Sequence, residues 1–376
     1  MNIALVTSFY DESVAQNEFY LAKYLVKLGH TVSIYTSRLS PPWVSKGKTL
    51  SGGSSLSGVE VCRMGSFGMK TNVFIYLNGL RNLLKDSKPD VIHFQEWLMP
   101  SITSTHGLGN VVVTARKHDV RGSLPFLLLC ETYGRWVFRH AKISTALSKA
   151  AKDIAVKYCS AKEKEIVVVP NGVDVEVFKP LETSRDEKNF VVPYDAPLCG
   201  TPTVVLAVSR LAREKGLDTL IRACSQIECN FKLLIAGFGP ELENLRQLSK
   251  NAGVSDRVEF LGFVGHEKLP ELYSQADVFV QPSMRDPFPH TILEALACGR
   301  PVISSDVSGG LDDVVAKEVG LRFQPGNVSQ LKDCLDKMAD KTFRNSIAKN
   351  CRKFAVEKFG WERIAGEYIK VYEKVL

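Results

Sequence analysis

Asp286 and Glu294 stand eight residues apart in the segment Asp286-Pro287-Phe288-Pro289-His290-Thr291-Ile292-Leu293-Glu294. The run Ala295-Leu296-Ala297-Cys298-Gly299-Arg300-Pro301-Val302-Ile303 follows directly. Together they read as a loop, a helix over 292–297, a turn and a strand, with both acids near one helix N-terminus. The backbone N–H groups there lack intrahelical partners and the local field is positive, which suits a phosphate and sugar hydroxyls. In isolation, Glu294 could instead be a solvated helix residue and Asp286 a cap. A second group lies upstream: Val208-Ser209-Arg210, then Glu214-Lys215-Gly216, after a strand and opening a helix. Arginine offers a bidentate fork and lysine a point charge, a pairing that suits a diphosphate.

Three further segments carry weaker signals. Pro170-Asn171-Gly172-Val173-Asp174 holds an Asn-Gly turn signal. Ala236-Gly237-Phe238-Gly239-Pro240 follows a strand, but Leu242 breaks the dinucleotide glycine pattern, leaving a glycine turn beside a phosphate as the open reading. His118-Asp119 follows the strand at 111–114 and could be a surface loop or a ligand contact, whereas His93, inside a strand, reads as structural.

The elements that must position these residues follow a βαβ rhythm. Strands are predicted at 3–7, 31–36, 59–63, 91–94, 111–114, 143–146 and 166–169, with a helix at 18–28 stopped by Gly29. Residues 51–58 read as a mobile loop and 181–200 as a linker. The rhythm then restarts, with strands at 203–208, 231–236, 258–260, 278–281 and 302–304 and helices at 216–227, 241–252 and 269–274. Two consecutive doubly wound α/β domains account for this, with ligands expected beyond the carboxyl ends of the strands. The stretch 362–375 reads as an amphipathic packing helix.

A chain of 376 residues, 45% hydrophobic and 24% charged, fits a soluble two-domain protein. Only a short apolar run follows Met1-Asn2, so neither a secretory leader nor a membrane span is expected. The nine cysteines lack any C-x-x-C pair, which argues for reduced thiols in the cytoplasm and against a zinc site. Residues 1–190 carry 24 Lys and Arg against 17 Asp and Glu, so the whole net charge of +7 lies in the first half. That excess is compatible with an anionic acceptor or lipid surface, or with simple solvation.

Taken in order, Pro170–Pro180, Val208–Asp218, Ile235–Pro240, Val258–Val264, Pro282–Val315 and the terminal Phe359-Gly360-Trp361 segment resemble glycosyltransferase family 4. These are retaining, sugar-nucleotide-dependent enzymes of GT-B fold: α/β, with two Rossmann-like doubly wound domains facing a central cleft. The resemblance implies an N-terminal acceptor domain over 1–185 and a C-terminal donor domain over 195–359, with a helix at about 360–376 packing back on the first. It implies that Arg210 and Lys215 bind the diphosphate, that Asp286 holds hydroxyls of the transferred sugar, and that Glu294 binds the nucleotide ribose. His118 would face the sugar. Phe263 and Val264 would line the nucleobase pocket, while Gly237, Pro289, His290, Thr291, Ile292, Leu293 and Asn171 would complete the donor site. The implied substrates are a nucleotide-diphosphate sugar and a glycan or lipid-linked acceptor, in cell-surface glycan, glycolipid or polysaccharide biosynthesis. Neither metal, cofactor nor nucleic acid is implied, and the expected location is the cytoplasm, with peripheral association at the inner face of the membrane.

Three departures from the family pattern stand out. The first acid is Asp, not Glu; Pro289 stands where Gly is common and supplies no N–H; and Ala15-Gln16 replaces a Gly-Gly pair before Glu18. The missing Gly-Gly and the Asp286 variant motivate a catalytically weak sugar-nucleotide-binding or scaffolding homologue as a second reading; a GT-B sugar-nucleotide epimerase is a third.

Overall fold

The computed structural model describes residues 1–10, 17–39, 54–56, 58–68, 74–116, 124–181, 202–286, 288, 290–306 and 315–376. The chain divides into two compact units, Met1–Gly172 with Trp361–Leu376, and Val173–Gly360.

The first unit is built on β1 (Asn2–Val6), β2 (Thr31–Ser37), β3 (Ser54–Leu56), β4 (Val59–Met64), a separate hairpin of β5 (Ser66–Gly68) and β6 (Ile75–Leu77), then β7 (Val91–Phe94), β8 (Asn110–Ala115), β9 (Ile143–Ala146) and β10 (Ile166–Val168). Its main sheet runs β10-β9-β8-β7-β1-β2-β4-β3. Every pairing is parallel except β3 with β4. Part of the expected loop at 51–58 is therefore a strand. The helix Asn17–Lys27 buries Tyr20, Leu21, Tyr24 and Leu25 beside Trp361, Ile364, Tyr368 and Tyr372 of the C-terminal helix Trp361–Glu373. Trp361 stacks on Tyr20 at 6.0 Å between centroids. A Cβ at Gly172 would lie 2.6 Å from the Trp361 ring, so the glycine of the Asn-Gly turn makes room for an indole. His93 is structural, as its place in a strand suggests. It is buried, with Nδ1 2.8 Å from Tyr372 Oη and Nε2 2.7 Å from Thr114 Oγ1. Burial pushes its pKa down to about 3, so the ring is neutral.

The second unit is built on β11 (Thr203–Val208), β12 (Phe231–Ala236), β13 (Val258–Gly262), β14 (Val278–Gln281), β15 (Val302–Ser305) and β16 (Gly320–Phe323). The sheet is all parallel in the order β13-β12-β11-β14-β15-β16. The strands read as near-continuous apolar runs, as expected of a sheet covered by helices on both faces. Residues 173–181, placed with the first domain by the sequence reading, group with this unit. Phe178 is buried in its core, and Arg352 donates to the backbone oxygens of Val175 (2.8 Å) and Phe178. The expected linker lies almost wholly outside the described residues.

Strand order reverses between β11 and β14: the chain moves outward through β12 and β13, then returns to the other side of β11. In open α/β sheets such a switch point leaves a crevice at the carboxyl ends of the two central strands. Residues 209–216 leave β11 there, and residues 282–286 leave β14 there. None of the described helices is long and apolar enough to cross a membrane.

Candidate active site

Three loops lie side by side at this edge, and glycines set their spacing. Ser209 N–H donates to Ala236 O at 3.0 Å, Leu211 N–H to Phe238 O at 2.9 Å, and Gly237 N–H to Gly262 O at 2.7 Å. Gly237 has φ +136°, and a Cβ there would sit 1.8 Å from Ser209 O. Gly237 is required first by backbone-on-backbone contact between loops.

Gly216 does the same across the switch point. With φ +62°, its absent Cβ would lie 2.1 Å from Pro282 O, and Met284 N–H donates to Glu214 O at 2.8 Å. The loop after β11 is thereby seated on the loop after β14, which carries Lys215 onto Asp286. Lys215 Nζ lies 2.5 Å from Asp286 Oδ2, so the shorter acid reaches the lysine without the missing methylene.

Gln281, the last residue of β14, organises this pair. Its Nε2 donates to Asp286 Oδ2 at 3.2 Å and to Ser283 Oγ at 2.7 Å, and its Oε1 accepts from Thr291 Oγ1 at 3.2 Å. Ser305 Oγ donates to Ser283 O at 2.5 Å from the neighbouring β15. Sequence reasoning missed Gln281. The signal available was a polar side chain closing the apolar run Val278–Gln281. Arg210 is half exposed and ion-paired with Glu214, so both cations of the site carry an acid partner.

Glu294 lies one turn inside the helix His290–Ala297 and is buried, not solvated. Its Oε2 accepts from Tyr273 Oη at 2.7 Å, and its Oε1 is 3.9 Å from His266 Nε2. Tyr273 is held among Phe178 and Phe279, with ring centroids at 6.0 and 5.6 Å, and His266 stands edge-on to Phe178 at 5.0 Å. Burial raises the Glu294 carboxyl to about 7, opposed by the Tyr273 hydrogen bond, and burial lowers the His266 pKa. The two acids therefore differ. Asp286 precedes the helix and faces a cation, while Glu294 faces a tyrosine hydroxyl.

The other expected donor residues divide. Thr291 joins the Gln281 network, and His290 opens the helix half-buried. Ile292 and Leu293 put their side chains wholly into the core, so only their backbone N–H groups are available to a ligand. Phe263 is 73% exposed and meets the half-exposed Phe238 in a T-shaped pair at 5.9 Å, whereas Val264 packs against the core. Asn171 belongs to the first unit, where its Oδ1 accepts from Asn17 Nδ2 at 2.8 Å. His118, Pro289 and the Ala15-Gln16 pair lie outside the described residues. Among the described residues, no group of three or more His, Cys, Asp or Glu side chains could hold a metal.

Comparison with known proteins agrees along the chain. Residues 195–354 match the family described as Glycosyl transferases group 1, and residues 19–177 match Glycosyltransferase Family 4. An uncharacterized glycosyltransferase of Methanocaldococcus jannaschii is 30% identical over 377 residues, covering 94% of this chain and 92% of its own. The D-inositol 3-phosphate glycosyltransferase of Acidothermus cellulolyticus is 28% identical over 301 residues, covering 75% of this chain and 63% of its own. Among solved structures, Anabaena HepE in complex with UDP superposes with a TM-score of 0.78 at 18% identity over 100% of both chains. Sucrose-phosphate synthase from Thermosynechococcus elongatus gives 0.75 at 23% identity over 99% of this chain and 98% of its own. With the GT-B fold shared and the family matched in both halves, the chain belongs to glycosyltransferase family 4, the group 1 glycosyltransferases.

Proposed function

We propose that this enzyme takes a sugar from a nucleoside diphosphate sugar and passes it, with retention at the anomeric carbon, to a hydroxyl of a glycan or lipid-linked acceptor. The observation that carries the reading is the meeting of Lys215 and Asp286 at the switch point, 2.5 Å apart, with Glu294 buried one turn inside the helix that follows and accepting from Tyr273. That UDP is bound by the similar HepE structure supports a nucleotide donor.

In this mechanism Lys215 and Arg210 take up the negative charge that develops on the leaving diphosphate, in place of a metal ion. The first-turn N–H groups at 290–293 add the positive end of the helix. Asp286 holds Lys215 in place and exchanges that bond for sugar hydroxyls when the donor enters. Asp286 Oδ2 accepts from Lys215 and Gln281, the geometry of a carboxylate held as a hydrogen-bond acceptor, and its role in this mechanism is to accept from the sugar hydroxyls. Attack of the acceptor on the face from which the diphosphate departs then preserves configuration. Glu294 accepts from the ribose diol, and Phe263 and Phe238 border the base. The eight cysteines among the described residues are free thiols, in keeping with a cytoplasmic location.

The test is transfer from a panel of nucleotide sugars by Lys215→Ala and Arg210→Ala, with product anomer read by NMR. Near wild-type kcat/KM in both variants, or an inverted product, refutes the mechanism. Donor binding without transfer or hydrolysis would move the chain to the binding homologues, and a product of unchanged size to the epimerases.

A further inference from the structure

Gln281 closes the apolar run Val278-Phe279-Val280 at the carboxyl end of β14 and is 2% exposed. A carboxamide buried this deeply is unfavourable unless its N–H and C=O groups find partners. All of its partners lie around the donor loop. Nε2 donates to Asp286 Oδ2 at 3.2 Å and to Ser283 Oγ at 2.7 Å, while Oε1 accepts from Thr291 Oγ1 at 3.2 Å. A carboxylate can only accept, which fixes the amide nitrogen on the Asp286 side. The backbone behind the side chain is pinned as well. Gln281 is paired with Ser304 in the register of β14 and β15, and Ser305 Oγ donates to Gln281 O at 3.4 Å.

Asp286 is therefore held by two groups of different kind. Lys215 is a cation on a long stem, its side chain 22% exposed, and it reaches across from the loop after β11. Gln281 is neutral, buried, and anchored to Ser283 and Thr291 on either side of the acid. When Lys215 turns to the leaving diphosphate, its bond to Asp286 is the one given up. The amide has no diphosphate to follow, so its bond stays. Both groups use the same oxygen, Oδ2, which leaves Oδ1 for a sugar hydroxyl. The orientation matters more for aspartate than for glutamate, because the shorter side chain has one torsion fewer with which to adjust to a hydroxyl.

We propose that Gln281 is the positioning residue for Asp286. Its carboxamide keeps the short carboxylate aimed at the transferred sugar after Lys215 has moved to the diphosphate, and supplies the constraint that a longer acid would supply by its own reach. Thr291, at the first turn of the helix His290–Ala297, holds the far end of the amide and so ties the acid to the helix N-terminus that faces the same diphosphate. The assignment rests on the donor reading given above and adds to it a residue that touches neither the nucleotide nor the sugar.

The test is transfer kinetics with the nucleotide sugar turned over fastest in a panel containing UDP-glucose and GDP-mannose, read beside binding of the matching nucleoside diphosphate. Gln281→Leu removes the amide at similar volume and should lower kcat about 10- to 100-fold, the usual loss when a reacting group is misplaced. Affinity for the nucleoside diphosphate, which carries no sugar, should stay at the wild-type value. Thr291→Val releases Oε1 and should lower kcat about threefold to tenfold; it carries the test should Gln281→Leu fail to fold. Asp286→Glu in the Gln281→Leu background should recover kcat about tenfold, because the longer acid brings its own reach, whereas two changes that merely loosened the loop would compound. Wild-type kcat in both Gln281→Leu and Thr291→Val overturns the assignment. So does a Gln281→Leu loss that Asp286→Glu deepens, or one matched by an equal loss of nucleoside diphosphate affinity. Wild-type turnover by Lys215→Ala would instead bring down the donor reading, while impaired Lys215→Ala beside unimpaired Gln281→Leu would bring down this assignment alone.

Discussion

Replacing Glu294 by Gln should make the protein's stability less sensitive to pH, in a direction the site dictates. The carboxyl is raised from its ordinary 4.5 to about 7 by burial, with the Tyr273 hydrogen bond pulling the other way. Because the folded pKa exceeds the unfolded one, the native state binds this proton more tightly. The resulting stabilisation is fully present below the unfolded value and is lost as pH rises through the folded value. At about 1.4 kcal/mol per pKa unit, the shift corresponds to roughly 3 kcal/mol, most of it lost before neutrality is passed. Glutamine is uncharged throughout and can still accept from Tyr273. Urea unfolding of both proteins across mildly acid to mildly alkaline pH should show Glu294→Gln gaining on the wild type by about 2–3 kcal/mol. Tyr273→Phe should move the transition to higher pH, because it removes the bond that favours the ionised form. Parallel curves for wild type and Glu294→Gln would refute the argument, since they would mean that the carboxyl titrates alike in the folded and unfolded chain.

Other perturbations probe the remaining contacts. Lys215→Ala should lower kcat/KM about 100- to 1,000-fold in steady-state transfer assays, the usual loss when a preorganised charge-stabilising group is removed. Gly237→Ala places a Cβ 1.8 Å from Ser209 O at a positive φ, and should cost about 1–3 kcal/mol in urea unfolding. Gly172→Ala brings a Cβ to 2.6 Å from the Trp361 ring at a φ outside the left-handed region, so its cost should fall substantially in the background of Trp361→Leu, as read by a double-mutant cycle.

Much of the fold was legible along the chain. The strands at 203–208, 231–236 and 278–281 coincide with β11, β12 and β14, because parallel strands covered on both faces are short apolar runs bounded by polar loops. The loop cations and acids were legible too, since they follow strands directly. Less accessible were groups whose role comes from a distant partner. Tyr273 lies in the short helix expected at 269–274, and only its place opposite Glu294 makes it a hydrogen-bond donor to an acid. Ile292 and Leu293 stand next to Glu294 in sequence, yet their side chains turn into the core, because a helix sends consecutive side chains in different directions.

The sequence by itself determined two α/β halves, the loops that carry charge, and the family to which they are similar, because local periodicity and ordered motifs are properties of neighbouring residues. Tertiary structure decided which charges meet. Lys215 and Asp286 are 71 residues apart and come together because the chain returns from β13 to lay β14 against β11. No periodicity encodes that return; it is settled by the packing of the helices that cover the sheet. The burial that raises Glu294 has the same origin, since Tyr273 and His266 reach it from the stretch 266–273 and Phe178 packs against both of their rings from a distant segment.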